Sequence, residues 1–209
     1  MAVRVPPTLP VPPQFADAVL ACMLLEPLQH QDELTQLLSW MADRQQPLDV
    51  IVEIGSHRGG TLELWARLAT KRVVSIDLPN GVGGGLPDDR MAERDADFQR
   101  RFPHVRGIRG DSHDITTLIQ LDSLLNFNYI DLLFIDGDHT YEGVKADYEM
   151  YRSRVCQGGI IAFHDVTCSP ERAAREHLGV NRFFATLPEP KHVFSVGWEW
   201  GGIGAIIRA

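Results

Sequence analysis

From residue 48 onward, short runs of β-branched and other apolar residues alternate with amphipathic segments. Such runs predict β-strands, and they lie at 50–54, 72–76, 104–108, 131–135 and 159–163. Apolar residues at helical spacing predict helices between them, near 60–70, 88–101, 115–125 and 140–153. Strands that are apolar at successive positions indicate a parallel sheet with helices on both faces. The alternation therefore predicts an α/β, doubly wound, Rossmann-like fold.

The first 47 residues follow a different pattern. Prolines concentrated near the start predict an extended arm over residues 1–14. Apolar residues three and four positions apart then predict helices over 15–25 and 31–44, so we assign 15–47 to N-terminal helices. Helices of this kind are often covered by a second subunit, and we therefore expect a homo-oligomer.

The last residues also depart from the alternation. Two strand-like runs, 191–197 and 202–208, flank a turn of glycine and tryptophan, which predicts an antiparallel hairpin at one edge of the sheet. This hairpin completes a main domain that we place at 48–209. Within that domain, the glycine-rich loop 80–87 has the composition of a flexible lid.

Composition limits the range of functions. The 209 residues carry a formal net charge of −8, and this acidic balance disfavours a nucleic-acid partner. The three cysteines have neither CxxC nor zinc-ligand spacing, which predicts reduced thiols in a cytoplasmic protein. No apolar run reaches the ~20 residues of a membrane span, so we expect no membrane association.

A glycine-rich turn, EIGSHRGGT, follows the first predicted strand and precedes a helix. Gly55 permits a sharp turn, and Gly59 and Gly60 allow the backbone to approach a ligand closely. Ligands of open α/β sheets bind outside the carboxyl ends of the strands, beside helix N-termini that accept anions. The turn is not GxGxxG, because His57 stands where a dinucleotide site has its second glycine, and no P-loop lysine follows.

Polar residues also follow the next two strands. Asp77 ends the second strand, 22 positions after Gly55, where a carboxylate can bind both ribose hydroxyls. Asp111 and Ser112, in the GDS segment after the third strand, are placed to meet an adenine ring. Three such features at successive strand ends predict a nucleoside site.

The fourth and fifth strands end in acidic residues. Asp136 and Asp165 occupy these two ends, and neighbouring strands lie about 4.8 Å apart, so the two carboxylates can share a divalent cation such as Mg²⁺. Asp138 and His139 follow at the same edge, and either can act as a general base. We favour His139 because its ordinary pKa, about 6.5, suits proton transfer at neutral pH. Asp138 has an alternative role in capping the helix that begins near Thr140.

In their order, EIGSHRGGT, VVSID, GDS, FIDGDHTYEGVKAD and GGIIAFHD resemble the class I S-adenosylmethionine (SAM)-dependent methyltransferases. More narrowly they resemble the group of cephalosporin-hydroxylase-like proteins and metal-dependent sugar O-methyltransferases, over roughly residues 48–209. The resemblance implies a seven-stranded sheet with a reversed final strand, and it implies that Glu53 orients the methionine end of SAM. The SAM-binding residues that it implies are Glu53, Gly55, Ser56, Gly59, Gly60, Thr61, Asp77, Asp111, Ser112 and Asp136.

The resemblance also implies a metal site formed by Asp136, His164 and Asp165. The sugar methyltransferases carry two adjacent carboxylates where this chain has His164 and Asp165. His164 therefore either binds a softer metal or points away and leaves two protein ligands. If instead His164 is buried and Asp165 only caps a loop, the enzyme needs no metal.

These features predict a SAM-dependent O-methyltransferase that acts, with a divalent metal, on a hydroxyl of a small molecule. The resemblance indicates a sugar or a polyketide-type natural product as the acceptor. Two alternatives remain open at this point. One is an NAD(P)-dependent oxidoreductase, against which the missing GxGxxG argues. The other is a non-catalytic protein that binds SAM or a nucleotide.

Overall fold

The computed structural model describes residues 9–45, 48–80, 85–188, 190–197 and 201–209. They form a sheet of seven strands: β1 (Val50–Ile54), β2 (Arg72–Asp77), β3 (Val105–Arg109), β4 (Ile130–Ile135), β5 (Val155–His164), β6 (Lys191–Phe194) and β7 (Ile203–Ile207). The α-helices of this described part are α1 (Ala16–Leu24), α2 (Gln31–Asp43), α3 (Gly60–Leu68), α4 (Asp88–Arg101), α5 (Ile115–Leu125), α6 (Tyr141–Tyr151), α7 (Pro170–Glu176) and α8 (Val180–Thr186).

The strand order is β3-β2-β1-β4-β5-β7-β6, and strands β1 to β5 are parallel. The order reverses direction between β1 and β4, which is where ligands of such sheets bind. Strand β7 pairs antiparallel with both β5 and β6 and so lies between them. The predicted doubly wound fold with an antiparallel C-terminal hairpin is confirmed.

Alternate residues of the central strands enter two separate cores. Val50 and Val52 pack on the face covered by α5, α6 and α8, whereas Ile51 packs on the face covered by α1, α2 and α3. This two-sided burial explains why β1 is apolar at successive positions. Because β1 to β5 are parallel, their carboxyl ends all lie at one edge of the sheet.

The N-terminal helices belong to the first of these cores. Helix α1 packs against α3 and buries Val19 and Cys22, while α2 packs against β6 and β7. His30 begins α2 with a capping box, because its side chain accepts from Asp32 N while Glu33 accepts from His30 N. The connection between α1 and α2 is thereby fixed across the edge of the sheet where β1 ends.

The segment after β5 forms two short helices, α7 and α8, which the sequence reading did not assign. Ser169 caps α7 and Pro170 occupies its first position, a start signal that was available in the sequence. Part of the expected lid (81–84), the beginning of the arm (1–8), and Trp198 and Trp200 in the terminal turn lie outside the described residues. None of the helices that the structure describes combines the length and apolarity needed to cross a membrane.

Candidate functional site

The turn after β1 brings two strand ends into contact. Gly55 has a φ of +85°, and a Cβ at this position would lie 2.0 Å from the carbonyl oxygen of Asp136. Gly55 N donates to Ile76 O and Asp136 N donates to Ile54 O, each at 2.8 Å, so the strand pairing continues into the turn. A side chain at residue 55 would separate the ends of β1 and β4, which explains the glycine.

A cleft of about 290 Å³, counting its open mouth, lies beside this turn. Residues 25–29 of the α1–α2 connection form one wall, and the glycine turn (residues 55–58, 60 and 61) and Asp136 form the other. Pro27 lies directly over the turn, because a Cβ on Gly60 would be 2.7 Å from Pro27 Cβ. The predicted cofactor residues Gly55, Ser56, Gly60, Thr61 and Asp136 therefore line one cavity.

Glu53 lies beneath this cleft rather than in its wall. Its side chain is fully buried and accepts a hydrogen bond from Trp65 Nε1 at 2.9 Å. Burial raises the pKa of Glu53 to about 7, although the hydroxyls of Ser56 and Thr61 and the Trp65 indole oppose the increase. Its predicted influence on the methionine end of SAM would thus pass through Ser56 and Thr61.

Asp77 is placed at the end of β2 as expected, and it already has a partner. Arg94 Nη1 donates to Asp77 Oδ2 at 2.9 Å, and both side chains are less than 10% exposed. Arg94 comes from α4 and lies 17 residues after Asp77 along the chain. The sequence reading named only the carboxylate of this ion pair.

The GDS segment after β3 is attached to α6. Tyr151 Oη donates to Ser112 O at 2.6 Å, and His113 Nε2 lies 3.2 Å from the fully buried carboxylate of Asp147. The neighbouring Asp147 carboxylate raises the pKa of His113 to about 9, while His113 Nε2 also lies 3.2 Å from Gly143 O. Asp111 is mainly exposed and accepts from His113 N. Asp111 and Ser112, which we predicted to meet the adenine ring, therefore lie on a loop that is held by residues of α6.

The ends of β4 and β5 assemble a cluster of acids and imidazoles. One ligand atom each from Asp136, His139 and Asp165 lies within 4.8 Å of the others. His139 Nε2 is 3.3 Å from Asp136 Oδ1 and His139 Nδ1 is 3.2 Å from Asp165 Oδ2. Burial lowers the pKa of His139, but the two carboxylates outweigh it and raise the value to about 9. Among the residues that the structure describes, Asp136, His139 and Asp165 bring their ligand atoms close enough together to hold a cation.

His164 joins the cluster from the last position of β5. Its Nδ1 lies 3.1 Å from Asp136 Oδ1 and 3.6 Å from Asp165 Oδ1. Its Nε2 is buried and has no hydrogen-bond partner within the described ranges. Burial lowers the pKa of His164, but the charges of Asp136, Asp165 and Glu33 raise it to about 9. His164 thus faces the predicted metal residues through one ring nitrogen.

Asp138 is oriented differently from its neighbour His139. Its Oδ1 accepts from Thr140 N at 2.8 Å, and its carboxylate lies over Gly143, where a Cβ would be 2.1 Å from Asp138 Cγ. Thr140, not Asp138, is the N-cap of α6, since the Thr140 hydroxyl accepts from Gly143 N. The two candidate bases are therefore separated: His139 faces the carboxylates and Asp138 braces the start of α6.

Gln29, like Arg94, is a site residue that the sequence did not predict. Its Nε2 donates to Asp136 Oδ2 at 2.6 Å, and the residue is 4% exposed. Asp136 therefore receives Gln29 on one oxygen and the two imidazoles on the other. Gln29 belongs to the α1–α2 connection and follows no strand, so no local pattern in the sequence pointed to it.

The sequence family described as a methyltransferase domain matches residues 52–166. An uncharacterized protein of Acanthamoeba polyphaga mimivirus is 36% identical over 115 residues, which are 54% of this chain and 50% of that protein. The chain thus spans about half the length of the curated relative that it matches. The family match begins within β1 and ends just after β5, so it includes the glycine turn and the acidic ends of β4 and β5 and excludes the N-terminal helices.

Two solved structures are similar over nearly the whole chain. The O-methyltransferase from Bacillus cereus, solved in complex with S-adenosylhomocysteine (SAH), is 19% identical with a TM-score of 0.56, covering 95% of this chain and 92% of that one. The TDP-rhamnose 3′-O-methyltransferase of calicheamicin biosynthesis is 21% identical with a TM-score of 0.54, covering 96% of each chain. At these identities the likeness is one of fold.

Proposed function

The chain belongs to the methyltransferase-domain family, and from this premise we propose that it is a SAM-dependent O-methyltransferase that modifies a hydroxyl of a small molecule with the help of a divalent cation. The observation that carries the proposal is the position of the Asp136–His139–Asp165 cluster directly beside the cleft of the glycine turn. A cofactor site and an acidic site thereby share Asp136.

The residues around the cleft fit the methionine and ribose ends of SAM. The turn carries no side chain at Gly55 or Gly60, and the start of α3 presents backbone N–H groups that suit a carboxylate. Asp77, at the neighbouring strand end, offers oxygen acceptors for ribose hydroxyls. When bound, SAM supplies a methyl group on a sulfonium, a reactive centre that needs no further activation.

The acidic cluster fits a hard divalent cation. Asp136 and Asp165 supply carboxylate oxygens, the ligands that Mg²⁺ prefers, and His164 or His139 borders both of them. A bound ion would supply Lewis-acid chemistry that lowers the pKa of an acceptor hydroxyl. The residues also match a metal with a softer preference, because imidazole suits Zn²⁺ better than Mg²⁺.

The protein's own part of the reaction is binding, orientation and proton transfer. Asp136 and Asp165 would hold the cation beside the cleft, and the α1–α2 connection forms one wall of the cleft. We assign the general base to His139 rather than to Asp138, which faces α6. Without a cation the two carboxylates raise the pKa of His139 to about 9 and keep its imidazole protonated, and a cation on Asp136 and Asp165 would offset their charge and lower that pKa. Orientation of the hydroxyl in line with the methyl group is the remaining requirement.

The acceptor that we propose is a sugar or a polyketide-type natural product. A net charge of −8 disfavours nucleic acid, and one structural neighbour is a sugar-nucleotide O-methyltransferase. Homo-oligomerisation is also proposed, because Leu20 and Leu24 on α1 are 61% and 74% exposed. Light scattering at increasing protein concentration tests whether the chain forms a homo-oligomer.

The central experiment measures binding and turnover separately. Separate calorimetric titrations with SAH, NAD⁺ and NADP⁺ should show that SAH binds and that neither nicotinamide cofactor does. Release of SAH from SAM over a panel of sugar nucleotides and phenolic polyketides should then depend on Mg²⁺ and stop with EDTA. Absence of SAH binding would refute the proposal, while binding without turnover on any acceptor would favour the non-catalytic alternative.

A further inference from the structure

Arg94 connects two separate parts of the proposed cofactor site. Its Nη1 lies 2.9 Å from Asp77 Oδ2 at the end of β2 and 2.5 Å from the carbonyl oxygen of His57 in the glycine turn. The Arg94 side chain is 6% exposed. A single buried cation therefore fixes the distance between the predicted ribose acceptor and the turn that binds the methionine end.

The orientation of Arg94 is itself fixed from behind. Its Nε and Nη2 both donate to Asp95 Oδ1, at 3.0 Å and 2.8 Å. Asp95 fits against β3 because residue 107 is glycine, where a Cβ would lie 2.6 Å from Asp95 Oδ2. A planar guanidinium held at one edge presents its remaining N–H groups in a set direction.

The ion pair occupies only part of the Asp77 carboxylate. Arg94 binds Oδ2, and no side chain of the described residues donates a hydrogen bond to Oδ1. A buried carboxylate is costly unless a charge compensates it, and Arg94 provides that compensation while leaving one acceptor oxygen for a ligand. The arrangement differs from a closed structural salt bridge, in which both oxygens would be used.

Helix α4 also contacts the glycine turn one helical turn after Arg94. A Cβ on Gly59 would lie 2.7 Å from Cε2 of Phe98, so the Phe98 ring packs directly on the backbone of the turn. Arg94 and Phe98 are four residues apart and therefore share a face of α4. This face of α4 supports the turn through one polar and one apolar contact.

We propose that Arg94 is a positioning residue for the cofactor, which orients Asp77 toward the ribose hydroxyls of an S-adenosyl ligand and holds the glycine turn at the matching distance. This inference rests on the proposed SAM-binding function and adds to it a residue from outside the strand ends. Arg94 acts through Asp77 and His57 and makes no assigned contact with the ligand.

The same helix supplies a matched control. Arg101 Nη1 binds both oxygens of Glu63 on α3, at 3.1 Å and 2.8 Å, and so also joins α4 to a second element. Glu63 lies outside the residues that line the cleft. Arg101→Gln therefore removes an ion pair of the same helix without touching Asp77. It also removes the contact of Arg101 with the Phe98 ring, 4.8 Å to the centroid, and so controls for general loosening of α4 behind the glycine turn.

The experiment is calorimetry of SAH, adenosine and 2′,3′-dideoxyadenosine with the wild type, Arg94→Gln, Arg94→Lys and Arg101→Gln. Arg94→Gln should weaken SAH about tenfold or more, the loss of one charge-assisted hydrogen bond. Its preference for adenosine over the dideoxy compound should fall by a similar factor. Arg94→Lys should recover part of both, and Arg101→Gln should match the wild type.

A double variant tests that Arg94 acts through Asp77. Asp77→Asn combined with Arg94→Gln should show the same preference for adenosine over 2′,3′-dideoxyadenosine as Asp77→Asn alone, whereas loss of the contact with the His57 carbonyl should still weaken SAH. An equal loss of adenosine and dideoxyadenosine affinity in Arg94→Gln, or full SAH affinity in that variant, would overturn the inference. If Arg94→Gln fails to fold by circular dichroism, Arg94→Lys decides the same comparison. Failure of the wild type to bind SAH would instead refute the proposed function.

Discussion

The ends of β1, β2 and β3 differ in construction from the ends of β4 and β5, although all five meet at one edge of the sheet. In the first region, polar side chains are held by internal partners: Glu53 by Trp65 and Asp77 by Arg94. In the second, acids and imidazoles are in contact mainly with one another.

In the proposed function, these two regions have different tasks. A cofactor region must present backbone and a few fixed acceptors, so it is rigidified by helices packed behind it. A region that binds metal and transfers protons must keep its ligand atoms close together and accessible. Titratable groups are therefore crowded there, and their interactions shift their pKa values. Asp136 is common to both regions, and Gly55 is the point where they touch.

Substitution of Gly55 should have the largest effect, because it breaks the junction of the two regions. In Gly55→Ala a methyl group would lie 2.0 Å from the Asp136 carbonyl oxygen, at a φ of +85°. The backbone would have to separate, and we expect the free energy of unfolding to fall by about 4 kcal/mol or more. Urea denaturation followed by circular dichroism measures it.

Gly158→Ala is the matched control for this substitution. Gly158 has a φ of +80°, but nothing lies within 4 Å of a Cβ placed there. Only the backbone conformation is penalised, at about 1 to 2 kcal/mol. Equal losses for the two variants would mean that the contact between the β1 and β4 ends contributes nothing beyond the glycine conformation.

Asp165→Asn should separate the two regions functionally. Asp165 has a φ of +61°, a conformation that asparagine accepts readily, so the backbone should not change. We expect Mn²⁺ affinity, measured by calorimetry, to fall by at least about 100-fold, beyond the usual effect of losing an outer partner. SAH affinity should stay within about twofold, because Asp165 does not line the cleft.

Glu142→Gln provides the control for the loss of one negative charge near the cluster. Glu142 is exposed in the first turn of α6, outside the group of converging ligand atoms. Its Mn²⁺ affinity should equal that of the wild type. Unchanged Mn²⁺ binding in Asp165→Asn would remove the metal from the proposal and leave a metal-free methyltransferase to be considered.

Most of the fold followed from the sequence because short, continuously apolar strand runs alternate with amphipathic helical segments. Strand-end residues such as Asp77, Asp136 and Asp165 could be assigned in advance, since parallel strands deliver their carboxyl ends to one edge. Gln29 could not, because it reaches Asp136 across 107 residues through the packing of α1 on α3. Contacts of that kind depend on tertiary packing, which no local period records.

The choice between Asp138 and His139 also required coordinates. The two residues are adjacent in sequence, but the turn leading into α6 points Asp138 toward Thr140 N and His139 toward the carboxylates. A backbone hydrogen bond from Gly179 N to His139 O, at 2.8 Å, fixes this arrangement from the α7–α8 side. The sequence offered both residues as bases, and their separate environments follow from that turn.

Gln29→Ala should produce a smaller effect than Asp165→Asn. Gln29 holds Asp136 Oδ2 without belonging to the converging group of ligand atoms. Loss of such an outer partner typically lowers metal affinity by about 10-fold, and we expect that reduction in Mn²⁺ calorimetry. Gln29→Glu is the contrasting variant. It places a second carboxylate beside Asp136, so its Mn²⁺ affinity should differ from that of Gln29→Ala. An unchanged affinity in both variants would confine Gln29 to packing.

The smallest expected effect is on the pH dependence of stability, and it arises from His113 in the loop that follows β3. His113 faces Asp147 at 3.2 Å, Asp111 at 3.8 Å and the Gly143 carbonyl at 3.2 Å, and its pKa is raised from 6.5 to about 9. A raised pKa means that the folded protein holds a proton which the unfolded chain releases. The stabilisation is therefore complete below pH 6.5 and is lost as pH rises through about 9.

Because the His113 ring is 30% exposed, solvent screening should limit this contribution to about 1 kcal/mol. Urea denaturation at pH 6 and pH 9.5 measures it as the difference between the wild type and His113→Gln, which cancels other groups that titrate in the same range. Asp147→Asn should reduce the pH dependence to a similar extent, since it removes the charge that holds the proton. If both variants keep the wild-type pH dependence, the attachment of the GDS loop to α6 depends on Tyr151 and Ser112 rather than on this ion pair.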